Sequence, residues 1–74
     1  MNWSVIKVKF PSTSKTYEYS AEGSANELTG AVAALVTTPF GKALVFVEDI
    51  RPMTEQVYKF NLKPVDALLY ARGM

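Results

Sequence analysis

The sequence predicts one small, mainly β (α+β) domain: a five-stranded antiparallel sheet or small open barrel with a short C-terminal helix. Hydrophobic residues recur at every second position along most of the chain, which is typical of strands. Turn-forming residues separate these segments. A chain of 74 residues, 49% of them hydrophobic, can bury one core and has no room for a second, so residues 1–74 are assigned to a single domain.

The first two strands are predicted to form a hairpin over residues 3–10 and 15–20. Ile6, Val8 and Phe10 share one face of the first segment, and Tyr17 and Tyr19 share one face of the second. The intervening Pro-Ser-Thr-Ser stretch is rich in turn formers. Residues 21–27 are expected to be a polar connection without core residues, and a short helical turn over residues 26–29 stays open.

The clearest hairpin joins predicted strands over residues 30–37 and 42–50 through Thr-Pro-Phe-Gly. Proline presets φ at the first turn position, and Gly41 accepts the positive φ that closes the turn. Both strands are hydrophobic almost throughout, so we expect them to be central and covered at least in part on both faces. A helix over residues 31–36 is the competing interpretation, but the segment is short.

A fifth strand is predicted over residues 57–62, where hydrophobic and polar residues alternate again. The C-terminal helix is predicted to begin at Pro64, because proline is favourable at the first position of a helix, and to end before Gly73. Val65, Leu68 and Leu69 would lie on its buried face.

Charge favours a protein partner over nucleic acid. Eight basic and seven acidic side chains give a net charge of +1 and a pI near 8.0, whereas nucleic-acid-binding domains usually show a pI above about 9. Direct nucleic-acid binding is therefore not expected.

The residue types that are missing argue against catalysis. The sequence contains no histidine and no cysteine, which removes the commonest general base, the commonest thiol nucleophile and most zinc sites. We expect a non-enzymatic monomer with no catalytic residue, cofactor or metal. The absence of cysteine favours a reducing, intracellular compartment, and the apolar runs are shorter than the ~20 residues of a membrane-spanning helix.

A mixed apolar and basic strand face supplies the candidate partner contacts. Trp3, Val5, Lys7 and Lys9 alternate along the first strand, and such a mixture suits a protein interface. Two alternatives stay open, namely that Trp3 shields a sheet edge and that the lysines of an edge strand prevent aggregation. The full predicted partner-binding set is Trp3, Val5, Lys7, Lys9, Lys42 and Arg51.

The strand aromatics allow an alternative function, a single-stranded nucleic-acid-binding or replication accessory module. Tyr17, Tyr19, Tyr58 and Phe60 could stack unpaired bases. Such platforms are normally ringed by lysine and arginine, and here Glu18 separates the two neighbouring tyrosines. Core packing is the favoured interpretation of these aromatics.

Several short stretches carry a resemblance to known proteins: residues 15–19 (KTYEY), 38–42 (TPFGK) continuing into 45–49 (VFVED), and 58–60 (YKF) with 63–66 (KPVD). Together they resemble small regulators of host RNA polymerase encoded by lytic phages of Xanthomonas, over most of residues 5–66. The order of a Tyr-x-Tyr strand, a Pro-aromatic-Gly hairpin and a strand ending in an acidic pair is also similar to the small N-terminal β domain of primosomal helicases.

The resemblance to the phage regulators implies a function in the host bacterial cytoplasm. It implies binding to the β and β′ subunits of RNA polymerase, inhibition of initiation by displacement of the σ70 factor, and antitermination during elongation. The resemblance assigns no individual contact residue.

Overall fold

The computed structural model describes residues 3–54 and 62–71, and within these ranges it contains five strands and one short helix. The fold class is thereby confirmed as mainly β and antiparallel with one short helix. The elements are β1 (Trp3–Lys9), β2 (Thr16–Glu22), α1 (Ala25–Leu28), β3 (Ala31–Thr38), β4 (Gly41–Pro52) and β5 (Ala67–Tyr70).

The strands form one sheet in the order β2-β1-β4-β3-β5. The twelve-residue β4 is the central strand. Its first half, up to Phe46, pairs with β3, and its second half, from Phe46 onward, pairs with β1 on the other side. Because β1 lies between β2 and β4, the alternatives that place the N-terminal strand at a sheet edge are wrong.

The β3–β4 hairpin follows the predicted turn chemistry. Gly41 has φ +114°, a conformation that costs glycine little and other residues more. The Thr38 hydroxyl holds the turn, since Oγ1 donates to the Gly41 carbonyl at 2.7 Å and accepts from the Phe40 amide at 3.1 Å. The turn therefore projects Phe40 from a hydrogen-bonded loop.

The core lies on one face of the sheet, here called the inner face, and consists of small and β-branched side chains. α1 contributes Leu28, and a reciprocal capping box between Ser24 and Glu27 starts this helix. The expectation that residues 21–27 lack core residues is wrong, because Ala21 is buried at the end of β2. The buried cluster is Ile6, Val8, Ala21, Leu28, Ala34, Val36 and Val45.

The predicted C-terminal helix is wrong: Ala67–Tyr70 form β5, which pairs antiparallel with β3. Without β5, the backbone N–H and C=O groups on the side of β3 away from β4 would have no strand partner. Pairing with β5 satisfies these groups. Leu68 packs against the core while Leu69 points to the other face. The predicted strand over residues 57–62 lies outside the described residues, except for Leu62, which belongs to no strand.

Residues 63–66 link β2, at one edge of the sheet, to β3, the strand next to the other edge. The Ser20 amide of β2 donates to the Lys63 carbonyl at 2.9 Å, and the Val65 amide donates to the Ser20 carbonyl at 2.8 Å. The Asp66 amide then donates to the Leu35 carbonyl of β3 at 2.7 Å. One short segment thus connects β2 to β3, and the sheet curls around its core.

In the ranges that the structure describes, no helix has the length and apolar character needed to cross a membrane.

Two valines of β3 test the assignment of the inner face. Val36 is fully buried, whereas Val32 is 47% exposed. We expect Val36→Ala to lower the free energy of unfolding by about 2–3 kcal/mol, because two buried methyl groups are lost and a cavity remains. Val32→Ala should change it by no more than about 0.5 kcal/mol. Urea unfolding measures both, and equal effects would contradict the assignment.

Candidate functional site

All six predicted partner contacts lie on the outer face, defined as the sheet face opposite the core. Residues directly opposite each other in an antiparallel pair share a face, and Val5 lies opposite Arg51 in this way. Lys42 lies opposite Thr37 at the far end of the same face. These residues do not form one compact site, because Lys42 and Arg51 are nine residues apart along β4, roughly 30 Å at the usual rise of a strand.

Val5 is fully buried, so its prediction as a partner contact is wrong. It lies in the middle of the sheet, opposite Ser20 on one side and Arg51 on the other. The Ser20 hydroxyl donates to the Leu62 carbonyl at 3.3 Å, so the chain at Leu62 lies against this end of β2. Trp3, near the same end, is half-buried.

The four predicted cations divide into two pairs. Arg51 forms an ion pair with Glu18 of β2, and Lys42 Nζ lies 3.0 Å from Asp66 Oδ2. Lys7 and Lys9 are exposed and make no ion pair within residues 3–54 and 62–71. Lys7 and Lys9 are therefore the cations of this set that can meet a partner without breaking an internal contact.

Asp66 is the centre of a small polar cluster that joins three segments. Thr37 Oγ1 donates to Asp66 Oδ2 at 2.6 Å, and Lys42 Nζ donates to both of these oxygens, at 3.2 Å and 3.0 Å respectively. The hydrogen bond from Thr37, followed by that from Lys42, lowers the pKa of the Asp66 carboxyl. The cluster ties β3 and β4 to the segment before β5.

The outer face carries an exposed hydrophobic area, here called the apolar patch and formed by Leu44, Phe46 and Leu69. These side chains are 48%, 51% and 47% exposed. Ala33 lies between Phe46 and Leu69 in the strand register, which places the patch across β4, β3 and β5. Lys9 lies directly opposite Phe46 on β1, so an exposed cation adjoins the patch.

Sequence reasoning missed the apolar patch because it expected both faces of β3 and β4 to be covered. On β3, Ala33 is buried and Leu35 is half-buried, but Leu44 and Phe46 of β4 are not covered. A signal was available in the alternation along this strand. Leu44 and Phe46 lie two and four positions after Lys42, so they share a strand face with a charged residue.

A second candidate site, here called the aromatic groove, opens on the inner side at the end of the sheet, between the β1–β2 and β3–β4 turns. Its cavity volume is about 400 Å³. The rings of Phe10 and Tyr17 meet edge to face, with centroids 5.2 Å apart. Its main lining residues are Phe10, Tyr17, Tyr19, Pro39, Phe40 and Lys63.

The aromatics of the groove lie at the rim of the core or beyond it. Phe10 and Tyr19 pack against it, whereas Tyr17 is 49% exposed and Phe40 fully exposed. Burial, with a smaller effect from neighbouring Tyr17, raises the pKa of the Tyr19 hydroxyl. Tyr58 and Phe60, the other two residues of the proposed base-stacking set, lie outside the described residues.

Comparisons of the chain with protein-family models, with curated proteins and with solved structures find no match.

The pKa of Asp66 tests the polar cluster. Because this pKa is lowered below its ordinary value of 3.8 on folding, the carboxylate contributes stability above that pH, and the contribution is lost as the pH falls through the folded pKa. We expect Thr37→Val to raise the pKa of Asp66 toward its ordinary value, measured by carboxyl-detected NMR titration. Thr16→Val is the control and should leave it unchanged. An unchanged value in Thr37→Val would contradict the hydrogen bond.

Proposed function

We propose that this protein is a non-enzymatic transcription regulator that acts by docking on bacterial RNA polymerase through the outer face of its sheet. The observation that carries the proposal is the apolar patch, in which Leu44 and Phe46 of β4 and Leu69 of β5 remain about half-exposed on either side of β3. Because the domain is small, it acts by occupying a surface that the polymerase needs for another contact.

The patch has the composition of the centre of a protein interface. Such centres are apolar and rich in aromatic anchors, and the surrounding rim is polar. Phe46 is the aromatic anchor, with Lys9 beside it and Lys7 further along β1 at the rim. Covering the exposed half of each patch side chain would contribute about 1 kcal/mol per residue, half of the value for full burial.

The resemblance to small phage regulators supports the choice of partner. It supports contacts with the β and β′ subunits, competition with σ70 at initiation, and antitermination during elongation, all in the host bacterial cytoplasm. Steric competition of this kind requires a stable surface and no catalytic group. Lys7 and Lys9 would face acidic side chains and speed association more than they strengthen it.

The aromatic groove supports the alternative, a single-stranded nucleic-acid or replication accessory module. Tyr17 and Phe40 expose ring surface that unpaired bases could stack on. The proposal gives this function second place, because Lys63 is the one cation lining the groove within the described segments. Binding that weakens steeply with salt, through release of counterions from several phosphates, would favour it.

Retention of purified RNA polymerase on the immobilised protein tests the proposal. We expect the β and β′ subunits to be retained from core enzyme, and σ70 to be displaced when holoenzyme is applied. Phe46→Asp should lower the affinity at least about tenfold, because it places a charge in the apolar patch.

Tyr70→Asp is the matched control, since Tyr70 is 46% exposed but points away from Leu69 on β5. Polymerase retention should be unchanged in this variant. Absence of β and β′ from the retained fraction would refute the choice of partner, and equal losses in the two variants would refute the role of the patch.

A further inference from the structure

We propose that the aromatic groove is a second binding site, which takes an extended, proline-containing peptide segment with an acidic residue at one end. Such a segment would belong to a protein partner. The groove opens on the inner side of the sheet, while the apolar patch lies on the outer face, so the two sites are spatially separate. The inference therefore does not depend on the proposed function and can fail independently of it.

The lining of the groove matches a polyproline II peptide. A chain in this conformation has flat pyrrolidine faces and docks in grooves lined by aromatic side chains. Tyr17 and Phe40 present exposed ring surface on opposite sides of the groove, one on β2 and one at the tip of the β3–β4 turn. A volume of about 400 Å³ falls within the range of about 300–1,000 Å³ for sites that enclose part of a ligand.

One wall of the groove, and the main chain of the other, are held in place before any ligand arrives. The edge-to-face contact with Phe10 positions the ring of Tyr17. Thr38 Oγ1 bonds to both the Phe40 amide and the Gly41 carbonyl, which holds the opposite turn. Because the ring of Tyr17 is already positioned, it loses little conformational entropy on binding, which favours affinity for a short segment.

The polar groups suit a peptide backbone. A polyproline II segment has no internal hydrogen bonds, so its carbonyl groups need donors from a partner. Tyr17 and Tyr19 line the groove, and each carries a hydroxyl that can donate a hydrogen bond. A tyrosine hydroxyl is protonated, and hence a donor, throughout the neutral range, and burial raises the pKa of Tyr19 further.

The charge of the groove selects an acidic peptide over nucleic acid. Among the described residues, Lys63 is the one charged residue of the lining, and it makes no ion pair with any other described residue. Its backbone is fixed to β2, because its carbonyl accepts from the Ser20 amide at 2.9 Å. One cation can pair with one carboxylate, whereas a single strand of nucleic acid presents a phosphate at every nucleotide.

An array of synthetic peptides tests the inference. The peptides share a Pro-x-x-Pro core, vary x over all amino acids, and carry aspartate, alanine or lysine beside the core. We expect the purified full chain to bind members of the aspartate set, and to lose binding when the prolines are replaced by alanine. Fluorescence anisotropy of the best binder then gives its affinity, with labelled oligothymidine as a second probe.

Substitutions in the protein test whether the peptide binds in the aromatic groove. We expect Tyr17→Ala to weaken the best peptide at least about tenfold, and Lys63→Glu to reverse the preference from the aspartate to the lysine set. Tyr70→Ala, a similarly exposed tyrosine outside the groove lining, should bind like the wild type. Circular dichroism checks that each variant is folded.

The results of these experiments can overturn the inference, and they distinguish it from the proposed function. No binding by any peptide, equal binding of the alanine-substituted peptides, or equal losses in Tyr17→Ala and Tyr70→Ala would overturn the inference. So would tighter binding of oligothymidine, weakened steeply by salt. Phe46→Asp should retain peptide binding while losing the polymerase, and Tyr17→Ala should lose the peptide even if no polymerase binds to the wild type.

Discussion

The structure depends on three main-chain hydrogen bonds made by residues 63–66. They connect Ser20 of β2 to Leu35 of β3, which lie in strands separated by β1 and β4 in the sheet. Without these hydrogen bonds, β2 and β3 would not be held together, and water would reach the inner face. The same segment carries Lys63 into the aromatic groove and Asp66 to the polar cluster, so the closure that protects the core also positions functional groups.

The closure restricts what can fit inside. The curled sheet encloses mainly valine, alanine and isoleucine side chains, with Leu28 from α1. The larger apolar and aromatic side chains are divided between the rim of the core and the outer face, where Tyr17, Phe40, Leu44 and Phe46 remain exposed. Exposed aromatic and aliphatic groups on adjacent elements are costly in water and are typical of surfaces that bind other molecules. The two candidate sites are therefore a direct consequence of a narrow interior.

The charged side chains show a similar division. Arg51 and Lys42 are held by Glu18 and Asp66, partners 33 and 24 residues away in the chain. No local pattern distinguishes these cations from Lys9, which makes no ion pair within the described residues. Sequence reasoning selected all of these cations as partner contacts, but their availability depends on long-range pairing.

The sequence by itself determined the fold class, four of the five described strands and the positive-φ glycine of the β3–β4 turn, because alternation and turn chemistry act between near neighbours. It also determined which side chains share a face in β1 and in β2. Only the tertiary structure decided that β1 lies inside the sheet and not at its edge, and that Ala67–Tyr70 pair with β3 and do not form a helix. It also decided that Val5 is buried and that Leu44 and Phe46 stay exposed. These outcomes depend on which distant segment covers each face and edge, and a local pattern carries no information about that choice.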